Sequence, residues 1–153
     1  MRAGFLAMAA VAMPLALAGC EAPPAVYVDG GYVRLNPNPQ APSAAYFKIH
    51  AGNEPIVLRG VMTEQAVRLE IHESVTQGGM ASMRPIENME IPARSTVSLA
   101  PGGKHIMLWS INPTALEAGK MSFTFIFSNG DRVIADAVIQ KAGDDAESDH
   151  SSH

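Results

Sequence analysis

Cysteine is almost absent from this 153-residue chain, which has only one, Cys20. One thiol can make no internal disulfide, no four-cysteine zinc site and no CxxC redox pair. Charge is also sparse, at 17% of residues with a formal net charge of −4. The basic face that nucleic-acid binding requires is therefore missing, as is the charge density of a wholly disordered chain. No glycine-rich phosphate loop precedes a helix. Ser74 and Ser82 lie near His72 in sequence, but no Ser/His/Asp constellation forms a hydrolase motif. These absences point away from an enzyme. Apolar residues, in contrast, make up 47% of the chain. That suffices for one domain with a core, and the length is too short for two. Nine methionines and five histidines are the residues with chemistry to offer.

The first segment reads as an address. Arg2 precedes an apolar run from Ala3 to Ala18, interrupted by Gly4 and Pro14. A basic start, an apolar stretch and small residues at its end describe a secretory signal, and the run falls short of the roughly 20 strongly apolar residues of a membrane span. It closes on Leu17-Ala18-Gly19-Cys20, which resembles the bacterial lipobox, whose cysteine is lipidated and becomes the first mature residue. The expected organisation is a lipoprotein signal peptide over 1–19, a lipidated tether over 20–25, a folded domain over 26–140 and a disordered acidic tail over 141–153. Loss of Arg2 with the signal leaves ten basic and fifteen acidic residues, a formal charge of −5. Pro23 and Pro24 should keep the tether extended. By the same resemblance, Glu21 after the cysteine favours the outer membrane, so the chain is expected at the periplasmic face of a bacterial membrane, held by lipid only.

The body reads as all-β. Short apolar or alternating runs cover Val26–Leu35, Ala44–His50, Ile56–Val61, Ala66–Ser74, Thr96–Leu99, His105–Ser110, Met121–Phe127 and Val133–Gln140. Turn residues separate them, and Ser128-Asn129-Gly130-Asp131 is the clearest hairpin signal. Several short strands at such spacing predict a sandwich or barrel. Only Pro113–Gly119 hints at a helical turn.

Alternation then assigns faces, because residues i and i+2 of a strand share one. Met121, Phe123, Phe125 and Phe127 should be core. Val67, Leu69 and Ile71 should face inward, with Arg68, Glu70 and His72 opposite. Ile106 and Leu108 should be buried, with His105, Met107 and Trp109 on the other side. His105 and Met107 can therefore bind one ion together. With His72 and Met83 they offer two imidazole nitrogens and two thioether sulfurs. That neutral, soft donor set suits copper(I) better than harder divalent ions, whereas zinc more usually gathers Cys, His and carboxylate. The ordinary role of a single methionine is packing, but Met107 stands on the face away from Ile106 and Leu108. Blue-copper electron transfer needs a thiolate, and the one cysteine is at the lipid anchor.

The spacing His72-x10-Met83-x21-His105-x-Met107 matches without a gap the signature of the PCuAC-type periplasmic copper chaperones, which this chain resembles. The surroundings agree: Leu69-Glu-Ile-His-Glu73, Met83-Arg-Pro-Ile86 and Leu99-Ala-Pro-Gly-Gly-Lys-His-Ile-Met-Leu108. The resemblance covers about residues 26–140. It implies a cupredoxin-like Greek-key β-sandwich or barrel and a solvent-near Cu(I) site built from His72, Met83, His105 and Met107. It also implies delivery to a copper-accepting cytochrome c oxidase subunit, with a thioredoxin-like assembly factor acting alongside.

The chain departs from the family in three places. Trp109 stands where an aliphatic or methionine is common, and reads as cover for nearby apolar surface rather than as a shield for the ion. His50 reads as a surface residue. Only His150 and His153 remain of the copper-binding tail that some relatives carry. Glu73 follows His72 but alternation sends it to the other face. Transfer is expected by ligand exchange: thioethers leave without a proton step, and the imidazoles must be neutral to bind, so affinity should fall in acid. A copper storage or tolerance lipoprotein using the same site, and a metal-free interaction module, are the competing readings.

Overall fold

The structure is a computed structural model in which residues 25–141 are described. The expected signal peptide, Cys20, nearly all of the expected tether, and the tail beyond Lys141 with His150 and His153 lie outside the described residues.

Among the described residues, ten strands and one short helix follow in order: β1 (Tyr27–Arg34), β2 (Ser43–His50), β3 (Ile56–Met62), β4 (Ala66–Gln77), β5 (Met80–Pro85), β6 (Met89–Ile91), β7 (Thr96–Leu99), β8 (Lys104–Ile111), α1 (Pro113–Ala118), β9 (Lys120–Phe127) and β10 (Arg132–Gln140). They form one hydrogen-bonded path, β5-β4-β8-β2-β1-β10-β9-β3-β6, and β7 joins β2 beside β8. The first half of β2 pairs with β8 (Ala45↔Ile106) and its second half with β7 (Ile49↔Val97). The β1–β10 pair is parallel; the others are antiparallel.

The path wraps around one core. A single cluster takes Ile71, Ile106 and Leu108 from strands near one end and Leu58, Ile91, Phe123 and Phe125 from the other. Phe47 of β2 meets Phe123 and Phe125 edge-on, at centroid distances of 5.1 and 4.9 Å. Fully burying one such ring is worth about 1.5–3 kcal/mol. The all-β expectation holds, and so does the alternation in β9, where Met121, Phe123, Phe125 and Phe127 are all buried. Gly31 has no room for a side chain: an added Cβ would overlap the Asp136 carbonyl oxygen and the Phe47 ring. Helix α1 spans the β8–β9 connection. The Asn112 side chain accepts the Thr114 N–H at 2.9 Å, Pro113 opens the first turn, and Gly119 closes it at φ 69, as expected for a short capped helix.

Two strands escaped the sequence pattern, β5 and β6. All six side chains of β5 are exposed, so it shows no alternation of apolar and polar residues. It forms because Gly78 (φ 61) and Gly79 (φ 79) supply the two left-handed residues of a tight hairpin. Val67 is a correction. It is 84% exposed rather than inward like Ile71, and it lies beside the Arg68↔Trp109 and Ala66↔Ile111 pairs, opposite Ser110, which adopts φ 54.

Candidate metal centre

Strands β5, β4 and β8 are neighbours, and their register sets the site. Across β4 and β8 the pairs are His72↔His105, Glu70↔Met107 and Arg68↔Trp109; across β4 and β5, Ser74 faces Met83. Every second residue shares a face, so the four residues singled out from sequence lie on one side of this three-stranded unit. The two imidazole rings are neighbours, with centroids 6.3 Å apart and planes inclined by 37°. Met107 is one row along β8, and Met83 is on the adjacent edge strand. Behind this face, Ile106 and Leu108 are 0% and 1% exposed, so the donors stand on a rigid floor. Met83, His105 and Met107 line a cavity of about 210 Å³ whose other walls include Ala44, Tyr46 and Gly102. His72 lies beside it rather than on its wall. Met83 is 57% exposed and His105 only 5%, so the site has one open and one closed side.

Hydrogen bonds fix the rings. His105 Nδ1 lies 3.0 Å from the Gly103 carbonyl oxygen, a group that can only accept. In the neutral ring Nδ1 therefore carries the proton and Nε2 keeps its lone pair. The same carbonyl receives the Ser74 N–H at 3.1 Å, which ties its position to the sheet. His72 is held at the other nitrogen: Nε2 is 2.8 Å from Glu70 Oε2. Its Nδ1 is buried and has no hydrogen-bond partner. A buried polar atom without a partner is uncommon, and here it belongs to a ring that neighbours a second imidazole on a face shared with two thioethers. The donors present thus fit a soft monovalent ion. Among the described residues no three His, Cys, Asp or Glu side chains are grouped to hold a metal.

Glu70 was missed as a supporting residue, although the alternation had placed it on the His72 face. Its bond to His72, aided by Arg68, holds its carboxyl below the usual carboxylate range. Arg68 Nε lies 3.5 Å from Glu70 Oε1, and its guanidinium sits 3.8 Å above the Trp109 ring. Trp109 therefore has an arginine for its partner. Glu73 points to the opposite face, as expected, where Lys104 and Arg84 each bond it at 3.0 Å and lower its pKa. At the cavity, burial raises the Tyr46 phenol, with Tyr32 adding to the effect. His50 is not simply a surface residue. It stacks on Tyr27 at 4.2 Å, lies 3.0 Å from Asp29 Oδ1 and binds Thr96 Oγ1 at 2.9 Å, clasping β1, β2 and β7 away from the site.

Comparison with known proteins places this geometry. A family model described as "Putative lipoprotein LpqE-like" matches residues 26–139. A curated protein of Leifsonia xyli subsp. xyli, "Putative lipoprotein Lxx21020", is 41% identical over 83 residues; the match spans 53% of this chain and about half, 49%, of that relative. Among solved structures, the copper-bound PCuAC domain from PmoF2 superposes with a TM-score of 0.62 at 19% identity, over 80% of this chain and 97% of its own. The solution structure of apo-DR1885 from Deinococcus radiodurans gives 0.56 at 26% identity, over 92% and 97%. The CuI-DR1885 solution structure gives 0.56 at 26%, over 82% and 83%. The fold is thus that of the cupredoxin-like PCuAC domains.

Proposed function

Starting from a chain that belongs to the LpqE-like family, we propose that it is an extracytoplasmic copper(I) chaperone that carries its ion on His72, Met83, His105 and Met107. The observation that carries this reading is the pair of side-by-side imidazoles. Each is held at one nitrogen by an acceptor and keeps a lone pair at the other, and two thioethers share their face. Structural neighbours support it, since one is a copper-bound PCuAC domain and another is DR1885 with Cu(I).

The family's lipoprotein description and the Leu17-Ala18-Gly19-Cys20 sequence support a lipid anchor on Cys20 at the periplasmic face of a bacterial membrane, with Glu21 favouring the outer one. No helix among the described residues is long and apolar enough to cross a membrane.

Copper is cargo in this reading, and the protein performs no bond chemistry on it. Met83 stands on the open side and can be replaced by an incoming donor, while His105 on the closed side keeps its hold. The ion then passes by ligand exchange to a copper-accepting cytochrome c oxidase subunit. A thioredoxin-like factor would act alongside, because the folded domain has no thiol with which to reduce a disulfide in a recipient.

The test is anaerobic Cu(I) competition against a chromophoric chelator, using the full chain beside the Met83→Leu/Met107→Leu variant. One ion bound per chain, and its loss in the variant, is the expected result. Equal binding by the two proteins, or none by either, overturns the assignment. The destination is read separately, from oxidase activity in a deletion strain at limiting copper. Intact activity with heightened copper sensitivity would turn the function to storage or tolerance.

A further inference from the structure

We propose that the two histidines present different ring nitrogens to the ion, Nδ1 of His72 and Nε2 of His105, and that Glu70 is the positioning residue that sets the first of these. The inference rests on the copper reading above but concerns atoms that reading leaves open.

The geometry behind it is a chain of contacts along one face. Trp109 supports Arg68 at 3.8 Å, Arg68 Nε lies 3.5 Å from Glu70 Oε1, and Glu70 Oε2 lies 2.8 Å from His72 Nε2. A carboxylate has no proton to give, so the neutral imidazole must place its own on Nε2. The lone pair is then confined to Nδ1, the buried atom that lacks a partner. Register explains why Glu70 rather than Glu73 does this. Glu70 is two residues from His72 and on its face, whereas Glu73 is engaged by Lys104 and Arg84 on the other. Arg68, one further step along the same face, offsets the Glu70 charge and holds the carboxylate toward the ring. At His105 the acceptor is the Gly103 carbonyl and it meets Nδ1, so the lone pair falls on Nε2. The two rings, paired directly across β4 and β8, are thereby fixed as opposite tautomers before any ion arrives. Acceptors that orient metal-binding histidines in this way commonly contribute about 10–100-fold to affinity.

The experiment uses the full chain labelled with ¹⁵N-histidine, at a mildly alkaline pH. Imidazole ¹⁵N shifts of the copper-free protein report which nitrogen bears the proton. The expected result is Nε2–H at His72 and Nδ1–H at His105. In Glu70→Ala the His72 signals should average between the two tautomers while His105 stays unchanged. Cu(I) affinity should fall about 10–100-fold and return in large part in Glu70→Gln, whose amide oxygen can accept the same proton. The backbone amide fingerprint checks that each variant is folded. On adding Cu(I) to the wild type, the His72 Nδ1 and His105 Nε2 shifts should move. Nδ1–H at His72, or an unchanged tautomer and affinity in Glu70→Ala, overturns the inference while wild-type Cu(I) binding still supports the chaperone reading. Absence of wild-type binding overturns the chaperone reading and the donor assignment with it.

Discussion

Two consecutive residues of β8 should separate stability from copper affinity. Ile106 is fully buried against the core, and Met107 is half-buried on the opposite face beside Ala44 and Glu70. Ile106→Ala removes three carbon atoms from a closed interior and should cost about 2–5 kcal/mol. With a urea m-value of about 2 kcal/mol/M, the middle of the usual range, the unfolding midpoint should drop by about 1–2.5 M. Met107→Leu conserves volume, so its stability cost should stay below about 1.5 kcal/mol. It does remove a thioether. Loss of a supporting group outside the donor set already weakens metal sites by about 10–100-fold, so loss of a donor should reach at least the upper figure, about 2.7 kcal/mol. Urea unfolding of the copper-free protein and anaerobic Cu(I) competition read the two quantities separately. The reasoning is refuted if Met107→Leu lowers the midpoint as much as Ile106→Ala does, or if its Cu(I) affinity equals that of the wild type.

Three other outcomes follow from contacts described above. Gly31→Ala should lower the unfolding midpoint by the equivalent of about 1–3 kcal/mol, because its Cβ meets the Asp136 carbonyl and the Phe47 ring; an unchanged midpoint would show that the strand can yield there. The Glu73 carboxyl is depressed by Lys104 and Arg84, so its contribution to stability is present above the ordinary carboxylate range and disappears as pH falls through the depressed value. Acid unfolding of Glu73→Gln should accordingly be less steep than that of the wild type, and parallel acid limbs would count against the pairing. Asn112→Ala removes the acceptor for the Thr114 N–H and should cost about 1 kcal/mol in thermal or urea unfolding, with Asn112→Asp close to neutral.

Much of the fold was legible because its strands alternate. The face of β9 and the split of β8 into Ile106/Leu108 and His105/Met107/Trp109 required only a period of two. The candidate site was legible in part for the same reason: alternation put His72, His105 and Met107 on outward strand faces, whereas Met83 was singled out by the motif spacing alone. Three features were hidden. β5 has no buried face, so its composition carries no periodic signal; the Gly78-Gly79 turn and its pairing with β4 create it. The parallel β1–β10 contact joins segments a hundred residues apart in sequence, and local pattern does not encode such pairings. Glu70 shared a face with His72 in the sequence reading, but choosing it over a merely adjacent carboxylate depends on side-chain direction, which only the folded sheet supplies. Trp109 is the mirror case: its face was right, and its partner, Arg68, came from cross-strand register.

The edge position of β5 sets an order in time. This strand is paired on one side only and adds no residue to the buried core, so its lifting away from β4 leaves the interior sealed and belongs among the lowest-energy openings of the fold. Met83 travels with it, while His105 and Met107 stay on a strand whose other face is core. Amide exchange should be fastest along Met80–Arg84 and slow at Ile106 and Leu108. For the proposed copper site, departure of the ion would then begin at the sheet margin and end at its interior rib, as a peel from one side.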